Sequence, residues 1–230
     1  GFAIQADAPA ARVVGFVSLS LMLGVVGDPA PTSSASYDAG MTDRSNGYEE
    51  HAETFLRWRH PRIGQGIARE WARELSPGEA VLELGCGDGV ISQVLMDAGL
   101  ALYGVDASPT LLRAFRERFP AAQAECAAAE ASTYFDRTFD GVVAVGLIFL
   151  LTEDAQRIVL AKVAHALKPG GRFLFTAPRD ACSWTDVLTK QESRSLGAEV
   201  YERLLRELGL QVSSGRVDEG DNHYFFAVKR

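Results

Sequence analysis

Residues 80–98 constrain the fold of this chain more than any other stretch. Ala80-Val-Leu-Glu-Leu84 is a short apolar run that stops at glycines, which reads as a buried strand. Glu83-Leu-Gly-Cys-Gly-Asp-Gly89 forms the turn, and Val90–Ala98 carries a helical pattern closed by Gly99. Glycine in such a turn reaches torsions closed to other residues and lets a ligand approach the main chain. The helix that follows presents unpaired N–H groups at its N-terminus. The spacing Gly85-x-Gly87-x-Gly89 differs from the dinucleotide fingerprint GxGxxG, and no Gly-Lys-Ser/Thr of a phosphate loop is present.

The alternation continues downstream. Ala101–Val105 is a second strand that ends at Asp106, and Ser108-Pro109 supplies an N-cap and first-turn proline for a helix to about Arg118. Ala122–Cys126 and Phe139–Val145 read as the third and fourth strands. Glu153–Leu167 reads as a helix ended by Lys168-Pro-Gly-Gly, and Arg172–Thr176 as a fifth strand. After a loop, Leu196–Leu208 is helical up to Gly209. Leu210–Val217 and His223–Val228 then form an antiparallel hairpin. The expected fold class is α/β: a doubly wound, Rossmann-like, seven-stranded sheet, mainly parallel with an antiparallel C-terminal strand. Right-handed crossovers put the strand C-termini along one edge, and ligands bind there where strand order reverses.

Ahead of this body, residues 48–76 read as a helical cover. Phe55, Trp58, Ile63, Ile67, Trp71 and Leu75 recur at mostly three- or four-residue steps, with a break near Pro61. Residues 1–47 read as a leader and linker. Arg12 precedes an apolar run, Val13 to Val26, too short for a comfortable membrane span, and Asp28-Pro-Ala-Pro-Thr-Ser-Ser-Ala-Ser follows. Three readings stand: a secretory signal segment, a disordered extension, or sequence upstream of a start at Met41. The net charge of −7 argues against non-specific nucleic-acid binding. Cys86, Cys126 and Cys182 lie far apart with no metal-ligand spacing, so reduced thiols and no metal site are expected.

Asp106 stands about twenty residues beyond the glycine turn, where a carboxylate accepts both ribose hydroxyls of a nucleoside-like ligand. With these features in place, Val81-Leu-Glu-Leu-Gly-Cys-Gly-Asp-Gly resembles the first motif of the class I S-adenosylmethionine-dependent methyltransferases. Gly104-Val-Asp-Ala-Ser resembles the family's acidic strand end, and Phe139-Asp-Gly-Val-Val its fourth-strand motif. Leu167-Lys-Pro-Gly-Gly-Arg-Phe resembles its turn into the fifth strand. The resemblance covers about residues 48–230 and is nearest to the small-molecule members with an N-terminal helical cover.

The resemblance implies S-adenosylmethionine as cofactor. Gly85, Cys86 and Gly87 would line its methionine and ribose portion, Asp106 would hold the ribose, and Ala107 and Leu111 would lie near the adenine. Ala129 and Glu130 fall at the adenine edge, where many members carry an aspartate and this chain reads Cys126-Ala-Ala-Ala-Glu130. Val145 and Gly146 would face the sulfur, and Glu83 would organise the turn. A sulfonium is already electrophilic, so the protein has mainly to align the acceptor and exclude water. A base is needed only for a poor nucleophile such as a hydroxyl. Tyr48, His51 and Asp180 are the candidate catalytic residues, and Tyr48 or Arg57 could meet the cofactor's carboxylate. Phe149, Arg179 and Trp184 are the candidate acceptor wall.

His60 and His165 read as surface residues and His223 as structural. The expected partner is a small-molecule methyl acceptor, with no nucleic acid and no membrane; the oligomeric state and the acceptor atom stay open. The cofactor is made in the cytosol, so a cytoplasmic location is expected, with export the alternative if residues 13–36 are a signal segment. Two other functions compete: a non-catalytic S-adenosylmethionine-binding regulatory module, and a nicotinamide-dependent oxidoreductase.

Overall fold

The computed structural model describes residues 43–59 and 62–230. The leader expected over most of residues 1–47, and the helix break at His60-Pro61, lie outside the described residues. The elements are α1 (Ala52–Trp58), α2 (Gln65–Ala72), β1 (Ala80–Leu84), α3 (Val90–Asp97), β2 (Ala101–Asp106) and α4 (Pro109–Arg118). They continue as β3 (Gln123–Cys126), β4 (Phe139–Ala144), α5 (Glu153–Ala166) and β5 (Leu167–Thr176). The last are β6 (Cys182–Thr185), β7 (Glu192–Ser195), α6 (Ala198–Glu207), β8 (Leu210–Val217) and β9 (His223–Lys229). Single 3-10 turns span Tyr134–Asp136 and Ile148–Leu150.

The main sheet has seven strands in the order β3-β2-β1-β4-β5-β9-β8. β9 runs antiparallel to both β5 and β8, and the pairings from β3 across to β5 are parallel. The chain leaves β1 toward β2 and β3 on one side and returns to β4 on the other. The reversal of strand order therefore falls between β1 and β4.

Side chains alternate across the strands, so each strand feeds two cores. Leu82 and Leu84 of β1 and Val142 and Ala144 of β4 pack with α5 and α6 through Val159, Leu160, Val163, Tyr201 and Leu205. Val81 and Val143 face the other way, onto α2, α3 and α4 through Trp71, Leu95 and Phe115. Helices on both faces explain why these strands read as continuous apolar runs.

Three regions depart from the sequence reading. The segment expected as a single cover divides: α2 buries Ile67 and Trp71 against the sheet, whereas α1 sits at the strand ends with Tyr48 and Phe55. Trp58, placed on the apolar stripe, is 49 % exposed, because the two short helices bury unrelated faces. Residues 43–47, expected as linker, form a turn in which Asp43 accepts from the Ser45 and Gly47 backbone N–H groups at 2.8 and 2.7 Å. The expected loop after β5 contains an antiparallel ribbon, β6 with β7. Its strands carry Ser, Thr and Glu, which lack the apolar alternation that marks a strand in sequence.

Candidate functional site

The C-terminal ends of β1, β2 and β4 open on a cavity of about 110 Å³, measured as space for water centres. Gly85, Gly87, Asp106, Ala107, Leu111, Ala129, Glu130, Val145 and Gly146 all line it. These residues come from three strand ends and two following segments, and the parallel sheet brings them to one place. Cys86 is the exception among the expected cofactor contacts. Its side chain is buried in the core beside Phe115 and does not line the cavity, because successive side chains at a strand end point to opposite faces.

The glycine turn has two physical requirements. Gly89 has φ +91°, and a Cβ there would collide with the Phe119 ring, so this glycine serves packing. Gly87 has φ +55°, and a Cβ there would meet only Phe55 Cε1 at 3.7 Å, on the cavity side. The main chain at Gly87 is therefore the part of the turn that a ligand can approach closely.

Asp106 joins the turn to the second strand end. One carboxylate oxygen accepts from Gly87 N–H and the other from Ser108 N–H, both at 2.8 Å. Each oxygen keeps a further lone pair for a ligand hydroxyl. Burial raises the Asp106 pKa to about 6, against the lowering effect of those two N–H groups. Glu83 points to the opposite side of β1 from the main apolar core and accepts from Ser92 Oγ at 2.5 Å. Burial pushes its pKa up to about 8. Glu83 thus ties the strand to α3.

Two tethers hold the N-terminal segment over the cavity. Glu49 accepts from Thr110 N–H at 3.0 Å, from Thr110 Oγ1 at 2.7 Å and from Ser108 Oγ, at the N-terminus of α4. Arg59 pairs with Asp88 of the glycine turn, and Arg118 approaches the same carboxylate at 3.8 Å. Tyr48, a candidate catalytic residue, lines the cavity, and so do Arg44, Ser45, Asn46 and Phe55, which sequence reasoning missed. The signal of Arg44, Ser45 and Asn46 was hidden in a stretch rich in Ser, Asp, Asn and Gly that reads as a linker, whereas Phe55 read only as part of the cover's apolar stripe.

His51 and Asp180, the other catalytic candidates, do not line the cavity, and Asp180 is exposed. Arg57 and Arg179 are exposed too. Phe149 and Trp184 of the candidate acceptor wall meet, with ring centroids 5.5 Å apart. At the ribbon tip, Leu188 shares a buried cluster with Tyr48, Ala52 and Leu111, against which Leu150 packs. His223 packs on Phe225 and is half-buried, and its pKa is lowered by burial and by Arg179. Among the described residues, no group of three or more His, Cys, Asp or Glu is placed to hold a metal ion. No described helix is long and apolar enough to cross a membrane.

Comparison with known proteins accords with this geometry. Residues 81–171, from β1 into β5, match the family model described as a methyltransferase domain. Over this stretch the chain is similar to the class I S-adenosylmethionine-dependent methyltransferases. The chain is 37% identical over 113 residues to the cypemycin N-terminal methyltransferase of a Streptomyces species, across 47% of this chain and 46% of that protein. Among solved structures, the glycopeptide N-methyltransferase MtfA with S-adenosyl-L-methionine superposes with a TM-score of 0.59 at 23% identity. That match covers 73% of this chain and 94% of the other. Magnesium protoporphyrin IX methyltransferase from Synechocystis superposes with a TM-score of 0.63 at 15% identity, over 84% of this chain and all of that one. These two likenesses concern the fold. The chain spans about half the length of the first curated relatives it matches. S-adenosylmethionine is the family's cofactor.

Proposed function

We propose that this chain transfers the methyl group of S-adenosylmethionine to a small-molecule or peptide acceptor. The observation that carries this reading is the junction of Gly87 and Asp106. An approachable main chain and a buried carboxylate meet at the strand ends where the sheet reverses order.

The residues present suit the cofactor. Asp106 would accept the ribose hydroxyls with the lone pairs its two N–H contacts leave free. Gly85 and Gly87 would lie along the methionine and ribose portion, with Ala107, Leu111 and Ala129 against the adenine. Glu130 has a buried carboxylate oxygen with no partner and lines the same cavity, so it would accept from the exocyclic amine of the adenine. It would take the place of the aspartate that many members carry. Val145 and Gly146 would border the sulfur. Gly146 is held there by its N–H bond to Thr176 Oγ1 at 2.7 Å.

When bound, the cofactor supplies a methyl group on a positively charged sulfur, which needs no activation. The chain's part is alignment and exclusion of water. Tyr48 and Phe55, held down by the Glu49 and Arg59 tethers, would close the cavity above the methyl group. Two relatives carry names that place their acceptors on peptides, which supports peptides beside small molecules as acceptors here.

A thermal-shift comparison tests the reading. S-adenosylhomocysteine should raise the melting temperature and NAD should not. Stabilisation by NAD alone would identify a nicotinamide enzyme and overturn the proposal. Donor-dependent release of S-adenosylhomocysteine with an acceptor present would separate catalysis from a purely regulatory binding role.

A further inference from the structure

Glu130 stands at the cavity edge on an irregular segment. β3 ends at Cys126, and residues 127–133 run from there to the 3-10 turn at Tyr134–Asp136. Within this segment, Ala131 N–H and Ser132 N–H both donate to the Ala128 carbonyl at 2.9 Å. The Glu130 and Ser132 carbonyls meet a side chain from elsewhere in the fold. Lys162 of α5 donates from Nζ to the Glu130 carbonyl at 2.9 Å and to the Ser132 carbonyl. The same ammonium lies 4.6 Å from the centre of the buried Tyr134 ring. One cation therefore gathers residues 130, 132 and 134. On the β3 side, Ser132 Oγ donates to Glu125 Oε2 at 2.7 Å and accepts from Tyr134 N–H at 3.0 Å.

Such a segment does not hold a side chain still by itself. Tyr134, Phe135 and Asp136 follow with φ of +53°, +57° and +49°, a left-handed run that non-glycine residues keep only where their surroundings impose it. Hydrogen bonds from a charged donor are the strong ones, and Lys162 makes two of them to this backbone. Glu130 is the residue of the segment with an unmet group. It lines the cavity, and its Oε2 is buried with no partner. A buried carboxylate oxygen left unpaired costs free energy, so a ligand donor that meets it is favoured. A site built to accept a hydrogen bond rejects an analogue that cannot donate one, provided the acceptor is held in place.

We propose that Lys162 sets the base selectivity of the donor site, by holding Glu130 where its carboxylate accepts from the exocyclic amine of adenine. This rests on the cofactor reading of the cavity and adds to it a residue outside the cavity wall. Lys162 does not line the cavity and bonds to main-chain carbonyls, so it is a positioning residue that acts on the ligand through Glu130. A hypoxanthine base carries a carbonyl oxygen in place of the amine. That oxygen would face the Glu130 carboxylate with no proton between them. Preference for adenine over hypoxanthine is therefore what a displaced Glu130 loses.

The test measures the affinity of the full chain for S-adenosylhomocysteine and for S-inosylhomocysteine by titration calorimetry. The wild type should prefer the adenine compound at least about tenfold, the worth of one charge-assisted contact. Lys162→Met should lower that preference at least about threefold, as the contact is partly lost when the segment relaxes. Glu130→Gln should lower it too. Adding Lys162→Met to Glu130→Gln should lower it no further, because the two residues act through one contact. The preference is a ratio, so a fold that is merely destabilised and weakens both ligands alike leaves it unchanged. Lys162→Gln is read in the same way if the methionine variant does not fold. An unchanged preference in the Lys162 variant, equal affinities in the wild type, or a further loss in the double variant would overturn the proposal. Absence of S-adenosylhomocysteine binding by the wild type would instead sink the underlying cofactor reading, so the two failures are distinct.

Discussion

Glu49 caps a helix it does not belong to: its carboxylate accepts from Thr110 N–H at 3.0 Å and from Thr110 Oγ1 at 2.7 Å. A carboxylate at a helix N-terminus satisfies orphan N–H groups and complements the dipole. Here it also fastens the segment bearing Tyr48 above the cavity. Glu49→Ala should lower stability by about 1 kcal/mol, the usual worth of a cap. It should also raise the dissociation rate of S-adenosylhomocysteine severalfold by stopped-flow fluorescence. A variant with unchanged dissociation would mean that the cover is held by other contacts.

Donor affinity should depend on pH through Asp106. Its pKa is raised to about 6 by burial, so the carboxylate proposed to accept the ribose hydroxyls is half lost near that pH. Above about pH 7 the anion is present and affinity is flat. Below about pH 6 the group is protonated, and the dissociation constant should rise toward tenfold per pH unit. Calorimetry across this range checks it, and Asp106→Asn should remove the dependence while weakening binding throughout.

Glu83 should make the fold less stable as pH rises. Its folded pKa of about 8 lies above the ordinary 4.5. Below about pH 4.5 both folded and unfolded chains hold the proton. Between there and about pH 8 only the folded chain does, so stability falls with pH, and the cost is complete above about pH 8. Each tenfold in proton affinity is worth about 1.4 kcal/mol, which bounds the cost at roughly 5 kcal/mol. Glu83→Gln keeps the shape and the Ser92 contact without the charge. Its urea-denaturation stability should exceed the wild type at pH 8.5 by at least about 1 kcal/mol and converge with it near pH 5. Parallel stability curves would contradict this assignment.

Gly89→Ala should destabilise by about 2 kcal/mol or more, since it combines a positive φ with a collision against Phe119. Gly87→Ala has room beside Phe55 and carries the smaller stability cost, while it intrudes on the cavity. Paired measurements of melting temperature and S-adenosylhomocysteine affinity should therefore separate the two glycines, one by each readout.

Much of the cofactor side was legible in sequence because it depends on local pattern. Gly85, Asp106 and Gly146 are where apolar runs end, and the parallel sheet carries those ends to one edge. The Cys86 side chain was misplaced because motif membership says nothing of which face a strand-end residue presents. The acceptor side was far less legible. Leu188 lies in a polar ribbon yet joins the buried cluster of Tyr48, over a hundred positions away in sequence. Arg44 and Asn46 were hidden for the same reason: a stretch with linker composition folds once Asp43 closes its turn.

The most direct test of the central claim is isothermal titration of the chain with S-adenosylhomocysteine, alongside Asp106→Asn. The account predicts saturable one-site binding by the wild type and at least about tenfold weaker binding by the variant, the loss of one charge-assisted contact. No binding by the wild type, or equal affinity in the two proteins, would contradict the claim that the Gly87–Asp106 junction is the methyl-donor site.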